Sequence, residues 1–571
     1  MTTKILRNRN RLLALATPLA VVSIATLFGA FTAYAQNGSA FFYPGDLVVS
    51  RSIYVNTNNI TAGVTTLPPN CSLVNCPTPV TAAVDGTYPF VWNNDTVDGS
   101  FGITSKIFLD QITPAGTLVN SLEVANSSQN GVPPTKDQMV TSFSSKSEIA
   151  LNLSTDGNYL TFMGYLAPIG AIDVSNSNTP GEIDSTNPVG EGVYRIVAQV
   201  DQHGKFHFTK TNAYSGNNGR AAILNNTLGA NLFYTSGNAG NGGNPQPLGV
   251  IIGAGAQILT PEVKAEVAQD PGVPTPVASF NITQLGKAAD KIGKDTNFRG
   301  LTIFNNVLYY TKGSGSNGVN PLYFLDTTGS VCHDAINGGT ANGVGLPVAG
   351  ARLPGAGLAY DPTVVEASGL PDNMCILKGF PTLIAKSKSG VSYPFGIWFA
   401  NSTTLYVADE GSGAVGKTVA GFYTPGTAAI NTTAGLQKWV YNEGLGEWKL
   451  AYTLTNGLNL GVAYAVPDSL TGDVYPTGNN RGTGGTGFPW APATDGLRNI
   501  TGVVNGDGTV TVYAITSTIS GSGDQGADPN SLVKITDNLS ATTLPASESF
   551  TVLKTAAFGE VLRGVSLAPG H

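Results

Sequence analysis

The two ends of this chain carry fragments that complete one another. Near the N-terminus, "GDLVVSRSIYV" (45–55) reads as the second strand of a hairpin whose first strand is missing. At the C-terminus, "LRGVSLAP" (562–569) reads as a first strand with nothing to pair. Between them one hairpin recurs five times: "EIALNLSTDGNYLTFMGYLA" (148–167), "RAAILNNTLGANLFYTSGNAG" (220–240), "RGLTIFNNVLYYTKGSG" (299–315), "FGIWFANSTTLYVADEG" (395–411) and "ITGVVNGDGTVTVYAITS" (500–517). Each copy has an alternating apolar strand, a turn rich in Asn, Asp or Gly, and a second strand with an aromatic residue. Asp156-Gly157 and Asp507-Gly508 are strong two-residue hairpin signals, because both central positions of such turns need a positive φ. The second strands align on Leu160, Leu232, Leu308, Leu405 and Val512.

A second hairpin follows most copies: "VYRIVAQVDQHGKFHFTKT" (193–211), "LYFLDTTGS" (322–330), "LQKWVYNEGLGEWKLAYTL" (436–454) and "SLVKITDNLSATTL" (531–544), with "IFLDQITPAGTLVNSLEV" (107–124) at the N-terminal end. Two hairpins per repeat give four strands, one propeller blade. Joining the end fragments in a shared blade hides both sheet edges, which otherwise invite aggregation. The sequence therefore predicts an all-β chain. It forms a single β-propeller of six four-stranded blades, or seven if 331–390 holds a degenerate one, closed by pairing the N- and C-terminal strands. Two separate β-sandwiches are the competing architecture, and they leave the complementary ends unexplained.

Composition agrees. Gly supplies 71 of 571 residues, and 41% of the chain is hydrophobic, enough for a packed core. Long Gly/Pro-rich insertions at about 56–95, 331–390 and 470–496 are expected to cover one face of the ring. Only 12% of residues are charged and the net charge is −7, so the basic stripe that nucleic acid requires is missing.

The first 35 residues read as a signal peptide. Lys4, Arg7, Arg9 and Arg11 precede an apolar run from Leu12 to about Phe31, and Ala33-Tyr34-Ala35 offers a small-x-small cleavage site. Cleavage near Ala35 leaves 36–571 as the propeller domain, secreted, extracellular or periplasmic, with no membrane span. An uncleaved anchor is the alternative, and Pro18 interrupts it. Four cysteines suit an oxidising compartment. Of three connectivities, Cys71–Cys76 and Cys332–Cys375 is the one chosen, as loop staples rather than metal ligands. Sequons occur at Asn152, Asn281, Asn401 and Asn499.

"LYVADEG" (405–411) resembles the blade consensus of NHL-type and gluconolactonase-like propellers. From "GDLVVSRS" through "IFLDQITPAGTLV" to "RGVSLAP", the chain is similar to a group of large secreted bacterial β-propeller proteins. That resemblance covers nearly all of 36–571, implies the fold and an extracellular place, and is silent on activity. Gluconolactonase-like enzymes hold a divalent metal with acidic and Asn side chains in the channel. Here Asp409 and Glu410 match the repeat consensus alone, without the early Glu partner, so that chemistry is not carried over.

A basic residue recurs just before the first strand of several repeats: Arg220, Arg299, Arg498 and Arg563, with Lys146 in a similar place and Tyr393-Pro394 in the remaining copy. First strands line a propeller's channel, so these side chains are candidates for a funnel that takes an anionic or carbohydrate ligand through bidentate guanidinium bonds. The competing reading is structural: each Arg caps carbonyls of the next blade or pairs with Glu148, Asp495 or Glu560. Buried guanidiniums are as a rule paired, which favours it. Asp524 and Asp528, among carbonyl-rich neighbours, are the one candidate calcium site, though not in an EF-hand spacing. No other cofactor is expected. Trp92 and Trp490 are the candidates for stacking on sugars; Trp398 and Trp439 lie on strands and are assigned to the core. Neither a histidine cluster, a GxSxG elbow, an HExxH motif nor a P-loop is present. The leading expectation is a non-enzymatic binding or structural module at the cell surface or in the matrix. A lactonase-like hydrolase or polysaccharide lyase working in the funnel is the enzymatic rival. A self-associating filament or adhesin subunit is the third.

Overall fold

The computed structural model describes residues 40–54, 60–61, 63–67, 80–82, 102–125, 139–143, 149–180, 189, 192–227, 230–238, 255–261, 278–280, 298–312, 320–325, 345–346, 353, 374–381, 391–413, 434–462, 464, 493–519 and 529–570. The signal-peptide segment, Lys146, Cys71, Cys76, Cys332, Asp524, Asp528, Trp92 and Trp490 lie outside the described residues, and Cys375 is described in its backbone alone.

The fold is an all-β propeller of six blades. Blade 1 is built from β1 (Leu47–Ile53), β4 (Ile103–Ile112), β5 (Leu118–Glu123) and the last strand, β27 (Glu560–Leu567), with β6 (Thr141–Phe143) added beside the start of β4. The small pair β2 (Thr66–Leu67) and β3 (Val80–Thr81) comes from the first insertion. Blade 2 holds β7 (Asn152–Leu153), β8 (Tyr159–Tyr165), β9 (Arg195–Asp201) and β10 (Phe206–Thr211). Blade 3 holds β11 (Gly219–Asn225), β12 (Leu232–Gly237), β13 (Ala256–Leu259) and β14 (Ala278–Phe280). Blade 4 holds β15 (Leu301–Phe304), β16 (Val307–Thr311), β17 (Leu322–Leu325) and β18 (Met374–Ile376). Blade 5 holds β19 (Pro394–Asn401), β20 (Thr404–Asp409), β21 (Gly435–Asn442) and β22 (Glu447–Leu454). Blade 6 holds β23 (Ala493–Val504), β24 (Thr509–Ile519), β25 (Ser531–Asn538) and β26 (Thr551–Thr555). Among the described residues no helix is long and apolar enough to cross a membrane.

The ring closes as the end fragments require. β27 pairs antiparallel with β1, Leu47 opposite Leu567 and Val49 opposite Val565. Polar contacts reinforce the seam. Arg51 on β1 donates Nε to Asp110 Oδ2 at 2.7 Å, Nη2 to Asp110 Oδ1 at 3.0 Å, and Nη1 to Glu560 Oε1 of β27 at 2.6 Å. Lys554 of blade 6 reaches Asp110 Oδ2 at 3.0 Å. Thus Glu560, one of the three carboxylates offered to the first-strand arginines, is paired with Arg51.

The core lies between blades rather than under a single sheet. On β1, Val48 packs toward blade 2 beside Leu160 and Phe162, while Leu47 and Val49 pack toward blade 6 beside Tyr513 and Ile515. β24 does the same: Val510, Val512 and Ala514 face blade 5, Tyr513 and Ile515 face blade 1. A strand buried on both faces must be apolar at consecutive positions, which explains runs such as "LVV". Each fully buried Val, Leu or Phe contributes about 1.5–3 kcal/mol.

Among the described residues, the segment 331–390 supplies no seventh blade. It delivers Met374–Ile376, the fourth strand of blade 4, paired with β17 through Phe324 and Cys375. In blade 6 the expected outer strand within 531–544 is displaced to Thr551–Thr555. Pro545 cannot donate to a strand ladder, and it lies in the irregular stretch 541–550.

Candidate functional site

The first strands β27, β7, β11, β15, β19 and β23 touch one another in succession and line the channel. Their close approach rests on glycine. A Cβ at Gly300 would sit 2.0 Å from the Phe395 carbonyl oxygen; at Gly396, 2.4 Å from that of Arg498; at Gly564, 2.5 Å from that of Ile149. Each of these oxygens belongs to the next blade. Hydroxyls add a matching series of inter-blade bonds: Ser50 to the Ile149 carbonyl (2.7 Å), Thr161 to Ala222 (2.7 Å), Ser236 to Arg299 (2.8 Å) and Thr311 to Phe395 (2.6 Å). Between blades 6 and 1, Asn530 exchanges two 2.8 Å bonds with the Leu562 backbone. Asn499 accepts the Val565 amide at 2.6 Å and the Leu151 amide at 3.4 Å, so this sequon asparagine is a buried bracket between strands.

Arg563 stands on β27, Arg220 on β11 and Arg498 on β23, with Arg299 just before β15. The same inter-blade contacts put Ile149 and Phe395 in register with them in blades 2 and 5, and Tyr393 two residues earlier. All four arginines are buried. Two are drawn to one carboxylate: Glu410, at the end of β20, lies 3.8 Å from Arg299 Nε and 3.5 Å from Arg498 Nε. The other two make backbone and hydroxyl contacts. Arg220 donates Nη1 to the Phe298 carbonyl of the next blade at 2.9 Å, and Arg563 donates Nε to Ser52 Oγ at 3.3 Å.

Around Glu410 stand two further acids and a phenol. Asp409 accepts the Tyr393 and Gly411 amides on Oδ1 at 3.1 and 3.0 Å, and Gln437 on Oδ2 at 3.4 Å. Asp495, on β23, accepts the Gly413 amide on Oδ2 at 2.8 Å, while its Oδ1 has no hydrogen-bond partner among the described residues. Burial raises the Asp495 carboxyl to about 8. The Gly413 amide and Arg498 oppose the rise; the charges of Asp409 and Glu410 add to it. It is therefore a neutral carboxylic acid at pH 7. Burial, then the charges of Asp409, Asp495 and Glu410, raise the Tyr393 phenol above its ordinary range. Burial lowers the Arg299 guanidinium's pKa, Glu410 opposes this, and Arg498 adds to it. Tyr393 is partly exposed, whereas the arginines and the three acids are buried.

The sequence hinted at this cluster. Blades 3 and 4 end their second strands in "TSG" and "TKG", and blade 5 ends in "DEG". The exchange of hydroxyl and Lys for two acids marks the place where the arginines converge.

A second buried cluster joins blades 5 and 6. Lys438 Nζ lies 2.9 Å from Asp537 Oδ2, with both side chains fully buried, and donates to Tyr452 Oη at 3.0 Å. Asp537 also accepts the hydroxyls of Tyr406 and Tyr452. Among the described residues no group of His, Cys, Asp and Glu side chains could hold a metal ion.

No family model matches this chain, and no curated protein does. Among solved structures it is similar to a polysaccharide lyase of a new family, the PL25 ulvan lyase. The identity is 10%, the coverage 89% of this chain and 97% of that one, and the TM-score 0.28.

Proposed function

We propose that this chain is an exported propeller that binds an acidic carbohydrate at the Tyr393 end of its channel, acting as a non-enzymatic module at the cell surface or in the surrounding matrix. One observation supports this above all. Two guanidiniums, a neutral carboxylic acid and a partly exposed phenol ring converge around Glu410. Guanidinium suits a carboxylate or sulfate, a carboxylic acid can donate to an anionic or hydroxyl oxygen, and an aromatic face suits a sugar ring. The ring that carries them is stitched blade to blade, so the groups are held in place before a ligand arrives, which lowers the cost of binding.

The test is retention on immobilised glycans. Acidic chains should be held and released by salt, and Arg299→Ala and Arg498→Ala should each weaken retention about tenfold or more. Equal retention of neutral chains, or none of either kind, refutes the proposal. A second reading, turnover at the same place, is favoured by Asp495, an acid that keeps its proton at neutral pH beside a second carboxyl group, Glu410. New unsaturated or reducing ends that disappear in Asp495→Asn, at unchanged thermal stability, put this enzymatic reading ahead.

A further inference from the structure

We propose that Asp495 is the ligand-contacting donor of this site, its Oδ1 hydroxyl donating to an oxygen of the bound acidic sugar while Arg498 faces the sugar's charge. The inference rests on the acidic-carbohydrate reading above and goes beyond it, assigning the hydrogen bond to one atom.

Three carboxyl groups meet here, and two are already engaged. Asp409 uses both oxygens on the Tyr393 and Gly411 amides and on Gln437. Glu410 lies between Arg299 and Arg498. Asp495 has one oxygen engaged, by Gly413, and one without a partner among the described residues, although the residue is only 1% exposed. A buried polar atom left without a partner is costly, so a ligand oxygen that supplies one is favoured there. The carboxyl cannot swing away easily. It is packed on Gly411, where a Cβ would come within 2.2 Å of Asp495 Oδ2.

Burial sets the protonation state first, and the charge around the group adds to it. Asp409 and Glu410 face Asp495 from β20, Arg498 from its own strand and Tyr393 from the start of β19; Arg299 reaches the group through Glu410. A third anion beside two others is disfavoured, and one guanidinium does not offset both. The acid keeps its proton to about pH 8. The Tyr393 phenol is pushed above its ordinary range and stays neutral over the same interval. A neutral carboxylic acid can donate to an anionic oxygen, which a carboxylate cannot.

The experiment is calorimetric titration of the chain with tri-galacturonic acid from pH 6 to 9.5. The wild type should bind steadily up to about pH 8 and then lose about tenfold in affinity per pH unit, as one linked proton requires. Asp495→Asn keeps an N–H donor in the same volume and should bind within about threefold of wild type, with the pH dependence gone. Asp495→Ala should lose about tenfold or more at pH 7. A wild-type affinity that is flat through pH 9.5, or equal losses in the Asn and Ala variants, overturns the assignment and leaves the carbohydrate reading standing. A wild type that ignores the probe at every pH overturns that reading, and this inference with it.

Discussion

Asp110→Asn is the perturbation that tests the closing seam most directly. Asp110 is fully buried and accepts two bonds from Arg51, one from Lys554 and one from Ser121 at 2.6 Å. Asparagine fills the same space but carries no charge, and its NH₂ group would face donors. Breaking a buried pair from one side costs about 3–5 kcal/mol, because the remaining charge stays buried. Arg51 retains Glu560, whose side chain is 21% exposed, so the low end applies, about 3 kcal/mol. The control is Glu123→Gln, which removes the 2.8 Å Lys106–Glu123 pair, 26% exposed on both sides and worth at most about 1 kcal/mol. Urea unfolding monitored by tryptophan fluorescence reads both.

The pH dependence gives a second check. Burial alone would raise the Asp110 carboxyl, but the hydrogen bonds and charge of Arg51, followed by Lys554 and Ser121, outweigh burial and hold it below the ordinary carboxylate range. A depressed carboxyl contributes stability that is full above its unfolded value and is lost as pH falls through the folded one. The gap between wild type and Asp110→Asn should therefore begin to close below about pH 4 and close fully only below the depressed folded value. A loss at pH 7 no larger than that of Glu123→Gln, or a gap that does not narrow in acid, refutes the reasoning.

Two further outcomes follow from the packing. Gly300→Ala should cost at least about 3 kcal/mol or abolish soluble expression, since its Cβ would meet a backbone oxygen of blade 5; Gly506→Ala, with nothing within 4 Å, should be neutral in the same melting assay. Lys438→Met should cost about 3–5 kcal/mol by stranding Asp537, and Lys438→Met with Asp537→Leu should recover most of it; a double variant as unstable as the single one would show that the tyrosine hydroxyls, not the charges, hold blades 5 and 6 together.

The ring was legible because its strands are buried on both faces and still follow a period of two. "LVVS" and "LRGVS" state that pattern at either end, and only a shared sheet satisfies both. The outer strands were less legible. Thr551–Thr555 is largely exposed and shows little apolar signal, and Met374–Ile376 lies far along the chain from its partner β17. Blade 3 takes its outer pair, β13 and β14, from a stretch where the hairpin pattern did not announce them. At the site, the recurrence of arginine was visible, but not its division. Arg299 and Arg498 meet only because blades 4 and 6 both flank blade 5, which carries Glu410. The importance of Asp495 depends on an oxygen left over when every neighbouring bond is made, and no spacing in the sequence encodes that.

The shared blade also sets an order of events during synthesis. β1 leaves the ribosome with one long edge that nothing can occupy until the final strand appears; Arg51 and Glu560 are separated by 509 positions. Blades 2 to 6 can assemble while translation continues, whereas blade 1 waits for β27. Loss of the last dozen residues would leave five intact blades and a sticky opening. Nascent or shortened chains should therefore be prone to aggregate through this inner edge.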